Sequence, residues 1–178
     1  MNRSIFGAVL AAALIAIPAQ AQMGSMMKPV TFGIGAGAAI PVGDGSDEIN
    51  TGFDVMATLA INPVMLPVGF RIDAAYDRFG VDGGGANLTF TSLTGNVVFR
   101  IPSMGLSPYL IGGAGLYNSE VNVDNAGSEN SNDFGFNVGG GIMLPLSGFN
   151  TFVEARYTQV QGDGGSAKFV PIRFGIMF

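Results

Sequence analysis

The chain has 178 residues and a formal net charge of −5, and it contains neither cysteine nor histidine. These properties exclude disulfide bonds, thiol catalysis, the usual Ser-His-Asp triad and ordinary zinc sites. They favour neither a nucleic-acid partner nor a bound cofactor. The 28 glycines follow no collagen-like period, so the composition suits one apolar domain of ordinary size.

The N-terminal segment has the three parts of a secretory signal peptide. A short basic opening precedes the apolar run Ile5–Ile17, and small residues then follow in an A-x-A pattern at Ala19 and Ala21. The alternative, a membrane-anchor helix, needs about 20 apolar residues, which is more than this run contains. We therefore expect residues 1–21 to be removed by cleavage between Ala21 and Gln22.

The remaining chain divides into eight segments with the apolar–polar alternation of β-strands. Most exceed the average globular strand of about 5–6 residues and match the about 9–11 residues of a tilted membrane-spanning strand. The predicted strands are Thr31–Val42, Thr51–Asn62, Val68–Phe79, Ala86–Ile101, Tyr109–Ser119, Asp133–Leu144, Thr151–Gln161 and Phe169–Phe178. The fourth is the least regular, because Leu88 and Phe90 would point inward; a bulge or an outer half standing clear of the membrane would explain this.

Two kinds of connection alternate between these strands. The odd-numbered connections are acidic and rich in glycine, whereas the even-numbered ones are short, uncharged and contain proline. This asymmetry is typical of an outer-membrane barrel, with longer loops at one end and tight turns at the other. Both chain ends are then expected at the periplasmic, short-turn end. We expect the acidic loops to form a solvated surface, and a calcium site formed by Asp44, Asp47 and Glu48 is the alternative.

Charged residues lie mostly on one face of the predicted strands. The pattern predicts an all-β, eight-stranded antiparallel up-and-down transmembrane β-barrel with these charges in its lumen. The lumenal set is Asp54, Arg71, Asp73, Asp77, Arg100, Glu154, Arg156 and Arg173. Because an unpaired charge in a narrow lumen costs several kcal/mol, the balanced set predicts a salt-bridge network that plugs the barrel. A selectivity lining for a narrow pore is the alternative.

Two further residue types support a barrel. Glycines are expected to make room for the arginines on the inner face, where an eight-stranded barrel is barely wide enough for side chains. These glycines are Gly33, Gly35, Gly37, Gly112, Gly139, Gly141 and Gly175. Aromatic residues cluster near strand ends and predict two interfacial girdles. One is expected to comprise Phe32, Phe70, Phe99, Tyr109, Phe152 and Phe178, and the other Phe53, Tyr76, Phe79, Tyr117, Phe134 and Tyr157.

With its signal peptide, eight alternating strands, glycine-rich inner faces and terminal Phe178, the chain resembles the small outer-membrane β-barrel family. That porin-like family includes the transmembrane domain of outer membrane protein A and the attachment-invasion barrels. The resemblance implies a short periplasmic segment at 22–30 and an outer-membrane barrel at 31–178. It also implies an assembly signal read by the barrel-assembly machinery. The matching residues are Val170, Ile172, Phe174, Ile176 and Phe178.

Three functions remain open at this point. The first is a non-enzymatic barrel with a structural or surface-interacting role, since the enzymes of the resembled family use histidine and this chain has none. The second is a narrow pore for ions or small solutes, and the third is a soluble ligand-binding β-barrel. The expected partners are outer-membrane lipids and, during insertion, the assembly machinery; we expect a monomer, and the sequence identifies no extracellular partner.

Overall fold

The protein is described by a computed structural model that covers residues 30–43, 46–63, 66–81, 83, 86–103, 105–123, 127–162 and 165–178. Eight antiparallel strands, each paired with its neighbours in chain order, close into one barrel through β1 and β8. They are β1 Val30–Pro41, β2 Gly52–Ile61, β3 Val68–Gly80, β4 Ala86–Arg100, β5 Ser107–Val123, β6 Gly127–Pro145, β7 Asn150–Gly162 and β8 Gly165–Met177. The predicted fold class is confirmed. Among these residues, no helix is long and apolar enough to cross a membrane.

The barrel is inverted relative to a water-soluble protein. On β3, the apolar side chain of Ile72 is 51% exposed, whereas the adjacent Arg71 is only 4% exposed. The same alternation runs along the other strands, so the outer surface carries a continuous belt of aliphatic and aromatic side chains. An exposed apolar surface of this extent indicates that hydrocarbon surrounds the barrel, because contact between so large an apolar surface and water is unfavourable.

The largest departure from the predicted strand limits is at the β5–β6 connection. Residues 120–132 were expected to form a polar loop, yet β5 continues to Val123 and β6 begins at Gly127. Glu120 pairs with Asn130 in this extended hairpin. A backbone ladder does not depend on side-chain polarity, and both faces of a strand beyond the membrane contact water. The alternation that marks a strand in the sequence therefore disappears there. The β7–β8 connection is shorter than predicted for the same reason, with Gly162 paired to Gly165.

The irregular pattern of β4 does not come from a bulge, which was one of the two causes considered. Its ladder with β3 runs without interruption from Val68↔Phe99 to Gly80↔Asn87, so no bulge is present. Phe90 points into the barrel and is buried, and Leu88 packs against the same apolar cluster. The lumen is thus polar at its middle and apolar toward the end that carries the acidic connections.

The aromatic and glycine predictions are each partly wrong. Stacked Phe32 and Phe178 at one end, and adjacent Phe53 and Tyr76 at the other, lie on the outer face as girdles require. Four predicted girdle members are buried inside instead: Phe79, Tyr109, Tyr117 and Phe152. Gly112 faces outward, and Gly113 and Gly115 occupy the inner face of β5. Residues 109–119 contain no charged residue, so the sequence did not show which of the two alternating sets of side chains faces the lumen.

Candidate functional site: the lumenal ion-pair cluster

A cluster of four charged side chains crosses the middle of the lumen. Arg71 and Asp73 project from β3, and Glu154 and Arg156 project from β7. Three strands separate β3 from β7 in either direction around the closed barrel, so the two pairs face each other from opposite walls. Contact between them spans the full bore.

Each arginine of this cluster contacts both carboxylates. Across the lumen, Arg71 Nη1 donates to Glu154 Oε2 at 2.8 Å, and Arg156 Nη2 donates to Asp73 Oδ2 at 2.7 Å. Along each strand, Arg71 Nη2 lies 3.0 Å from Asp73 Oδ2, and Arg156 Nη2 lies 2.6 Å from Glu154 Oε1. The result is a closed, electrically neutral ring of four charges.

Neutral side chains donate further hydrogen bonds to both carboxylates of this ring. Tyr109 Oη donates to Glu154 Oε2 at 2.8 Å, and Asn96 Nδ2 donates to Asp73 Oδ2 at 3.0 Å. All four charged residues are buried. Buried ion pairs are tolerated when the geometry is good and further hydrogen bonds satisfy the lone pairs, and both conditions are met here.

A second ion pair extends the cluster around the barrel. The Arg173 guanidinium on β8 binds the Asp54 carboxylate on β2 in a bidentate manner, with distances of 2.6 and 2.7 Å. Arg173 Nη1 also lies 3.9 Å from Glu154 Oε1, which joins this pair to the ring. Charges from β2, β3, β7 and β8 therefore form one continuous network.

Glycines on intervening strands make these contacts possible. Gly37 of β1 is the register partner of both Asp54 and Arg173, so their ion pair passes directly over it. Gly141 lies in the same way between Tyr109 and Glu154. Gly113 lies between Asn96 and Asn137, whose amide groups are 2.9 Å apart. A side chain at any of these glycines would stand between the two bonded groups.

We expect Gly37→Ala to lower the free energy of unfolding by about 1–3 kcal/mol, the usual effect of overpacking. Its new Cβ would overlap the backbone carbonyl of Ile172, which cannot rotate away. Urea unfolding in phospholipid vesicles measures the difference. Gly95→Ala is the matched control, because a Cβ on outward-facing Gly95 meets nothing within 4 Å. Equal stability of the two variants would contradict the role of Gly37.

Two of the eight predicted lumenal charges take no part in an ion pair among the described residues. Arg100 faces inward but lies near the short-turn end, where its Nη2 donates to Asn62 Oδ1. Asp77 is buried and is the register partner of Asp54 on the neighbouring strand. The prediction thus placed both residues on the correct face of their strands. It was wrong to include them in the paired network.

Little free space remains beside the cluster. The cavity bounded by Asp77, Asn137 and Arg156 has a volume of about 10 Å³. This is the scale of one water molecule and is too small for a permeating solute. The phenyl ring of Phe152 packs against Arg71 of the ion-pair ring. It fills the space beside Gly175, where a Cβ on residue 175 would overlap the phenyl ring. The arrangement closes the bore with side chains.

The other predicted site residues are only partly described. Asp44 lies outside the described residues, as does the side chain of Asp47, while Glu48 is exposed on the 3₁₀ turn Ser46–Glu48. Within the described ranges, no group of three carboxylates is close enough to hold a metal ion. Ala19, Ala21 and Gln22 also lie outside the described residues. All members of the expected assembly signal lie on the outer face of the barrel: Val170, Ile172, Phe174, Ile176 and Phe178.

The tyrosine and asparagine partners of the cluster were missed by reasoning from the sequence alone. Tyr109, Asn96 and Asn137 have the inward parity of their strands, but neither charge nor spacing distinguishes them from other polar residues. Only the register across three strands brings Tyr109 to Glu154. The one usable signal was the glycine at position 141, which leaves room for a long side chain from a neighbouring strand.

Comparison with known proteins gives one family and several similar structures. The model of the outer membrane protein beta-barrel domain matches residues 8–178. Neisserial surface protein A is 13% identical with a TM-score of 0.70, covering 84% of this chain and 96% of that one. Ail of Yersinia pestis, crystallised with the heparin analogue sucrose octasulfate, is 22% identical with a TM-score of 0.53, covering 84% and 97%.

The N-terminal barrel of Pseudomonas aeruginosa OprF is also similar, at 15% identity and a TM-score of 0.50, covering 83% of this chain and 97% of that one. A search of curated proteins finds no match. Identities this low establish a shared fold and carry no information about ligands or partners.

Proposed function

Since this chain belongs to the outer membrane protein beta-barrel domain family, we propose that it is a non-enzymatic outer-membrane protein with a sealed lumen. Its role is either structural or the presentation of its extracellular β5–β6 hairpin to a binding partner. The observation that carries this proposal is the ion-pair ring that joins β3 to β7 across the bore. A pore would need that space free.

The chemistry of the chain supports a non-enzymatic role. It has no histidine and no cysteine to act as a general base or nucleophile at neutral pH. The buried carboxylates of Asp73 and Glu154 are each bound by two arginines, so they are held as structural counter-ions. Groups held in this way are not available to accept a proton from a substrate.

The proposed orientation follows from the two ends of the barrel. The start of β1 at Val30 and the end of the chain at Phe178 lie at the end with the short turns. We assign this end to the periplasm, in accord with an exported precursor cleaved after Ala21. The apolar belt contacts the lipids of the outer membrane. The outward-facing residues of β8 would be recognised by the assembly machinery during insertion, and the inserted barrel would be a monomer, since every strand is already paired on both sides.

The β5–β6 hairpin is the surface best suited to meet a partner. β6 pairs with β7 only from Phe134 onward, so residues 127–133 carry a strand edge that no described strand covers. Residues 117–133 contain four acidic residues and no basic residue. An acidic, uncovered edge favours a basic partner and disfavours a polyanion.

Planar bilayer recordings test the sealed lumen. We expect the refolded wild-type protein to show no steady conductance, because the ring and the buried aromatic side chains leave no continuous water path. Heat-modifiable gel migration verifies that the inserted protein is folded. Long-lived, stepwise channel openings at moderate voltage would contradict the proposal and favour the pore.

A further inference from the structure

The Asp77 carboxyl group is buried without a counter-ion of its own. Asp77 is 1% exposed on the inner face of β3 and joins none of the ion pairs formed by the described residues. Its Oδ1 atom also has no hydrogen-bond partner within this part of the chain. The register partner of Asp77 on β2 is Asp54, which is equally buried, and the two carboxyl groups lie within hydrogen-bonding reach of each other. Two carboxyl groups therefore meet in the lumen, and Arg173 forms its ion pair with Asp54.

The buried charges of the lumen contain one negative group too many. Three arginines and four carboxyl groups are buried among the described residues: Arg71, Arg156 and Arg173, and Asp54, Asp73, Asp77 and Glu154. The ring formed by β3 and β7 is neutral, and so is the pair formed by Asp54 and Arg173. Asp77 is therefore the carboxyl group without a matching arginine.

No other basic residue of the barrel can supply the missing positive charge. Arg100 lies about 30 Å along β4 from Phe90, which is the register partner of Asp77. Arg78 and Lys168 have the outward parity of their strands. The connections that lie partly outside the described residues contain no lysine, arginine or histidine. An ionised Asp77 would thus be a buried, unpaired charge, which is strongly destabilising.

The space beside Asp77 does not favour a metal cation as the missing partner. The cavity of about 10 Å³ that Asp77 borders is no larger than one water molecule. Arg156 and Arg173 also line this cavity, and their positive charges would repel a metal cation. A proton needs no cavity, because the carboxyl group itself carries the proton and becomes neutral.

We propose that Asp77 holds a proton in the folded barrel at neutral pH and donates a hydrogen bond from its carboxyl hydroxyl to the Asp54 carboxylate. Asp54 keeps its bidentate contact with Arg173, because a carboxylate oxygen can accept more than one hydrogen bond. The proton leaves three carboxylates opposite three arginines. The charged and titratable residues around Asp77 are Asp54 of β2, Asp73 of β3, Tyr117 of β5, Arg156 of β7 and Arg173 of β8, while β4 and β6 contribute the uncharged Ser92, Thr94 and Asn137.

The pH dependence of unfolding tests this proton. The folded barrel would hold one proton more than the unfolded chain, whose aspartates are ionised above about pH 5, so stability should fall as pH rises. In urea and phospholipid vesicles, we expect the wild-type unfolding equilibrium constant to rise by up to about tenfold per pH unit between about pH 6 and 8. The chain has no histidine, so no other side chain normally titrates in this range.

Two variants assign the pH dependence to a residue. Asp77→Asn should remove it, because asparagine cannot take up the proton. Asp133→Asn makes the same chemical change on a half-exposed side chain of the β5–β6 hairpin and should leave it unchanged. A wild-type unfolding constant that stays the same over this pH range, or a pH dependence that Asp77→Asn retains, would refute the proposal.

Infrared spectroscopy detects the proton directly. We expect folded wild-type protein at neutral pH to show the C=O stretching band of an un-ionised carboxylic acid, shifted when the protein is refolded in D₂O. Asp133→Asn should keep this band and Asp77→Asn should lack it; if Asp77→Asn does not insert, the wild-type band alone decides. A missing wild-type band, or stability that instead depends on exchanging choline for sodium, would overturn the proposal.

Discussion

Glu154→Gln is expected to lower the free energy of unfolding by about 3–5 kcal/mol, the range for breaking one partner out of a buried ion pair. Glu154 accepts hydrogen bonds from Arg71, Arg156 and Tyr109. Glutamine keeps the shape of the side chain but removes its charge. Two buried arginines then share the single carboxylate of Asp73, and the cavity of about 10 Å³ beside them leaves little room for water to compensate.

Equilibrium urea unfolding in phospholipid vesicles provides the measurement, read by the loss of β-sheet circular dichroism. Glu48→Gln makes the same chemical change on an exposed side chain and should alter stability by less than about 0.5 kcal/mol. The double variant Glu154→Gln/Arg71→Met removes the excess positive charge. It should therefore be more stable than the sum of the two single changes predicts. Additive effects would show that the cluster is not coupled as the distances indicate.

Leu93→Arg should destabilise the inserted barrel by about 2–4 kcal/mol, the value for arginine on the lipid face near the bilayer midplane. Leu93 lies at the centre of β4, between Ala74 of β3 and Leu116 of β5. All three side chains have the outward parity of their strands. A guanidinium at this height must either enter hydrocarbon or distort the surrounding lipid.

Leu106→Arg is a close control for this change. Leu106 lies in the turn between β4 and β5, and it is 50% exposed, while Leu93 is 49% exposed. If water surrounded the whole protein, two leucines of equal exposure would tolerate arginine equally. With a bilayer around the strands, only the Leu93 variant loses stability. Comparable stability of both variants in vesicles would argue against a membrane around β4.

The placement of charges shows how far alternation alone can be used. A strand has a side-chain period of two, so once one lumenal residue such as Arg71 or Arg156 is assigned, every other residue of its strand is assigned to a face. All eight predicted charges do point inward. Alternation says nothing about height along the barrel, however. Arg100 was grouped with the others although it lies near the short-turn end, beside Asn62.

The buried aromatic residues also show that alternation alone does not predict what fills the lumen. Phe79 was predicted to belong to a girdle, and Phe90 made the fourth strand look irregular. Both interpretations assumed that apolar residues face lipid. In the folded barrel they pack against each other and against Phe169 inside the lumen. A barrel of eight strands has a small interior that side chains must fill, and above the charged cluster that filling is apolar.

The sequence by itself determined the class of the fold, the number of strands, the inner face of most strands and the medium around the barrel. These properties depend on local alternation and on the chemistry of the connections, which neighbouring residues define. Only the tertiary structure decided which charges meet. Arg71 and Glu154 are 83 positions apart, and their contact depends on barrel closure and on register accumulated over several strands. The contact of Phe79, Phe90 and Phe169 was decided in the same way, because these rings come from separate strands that no local pattern connects.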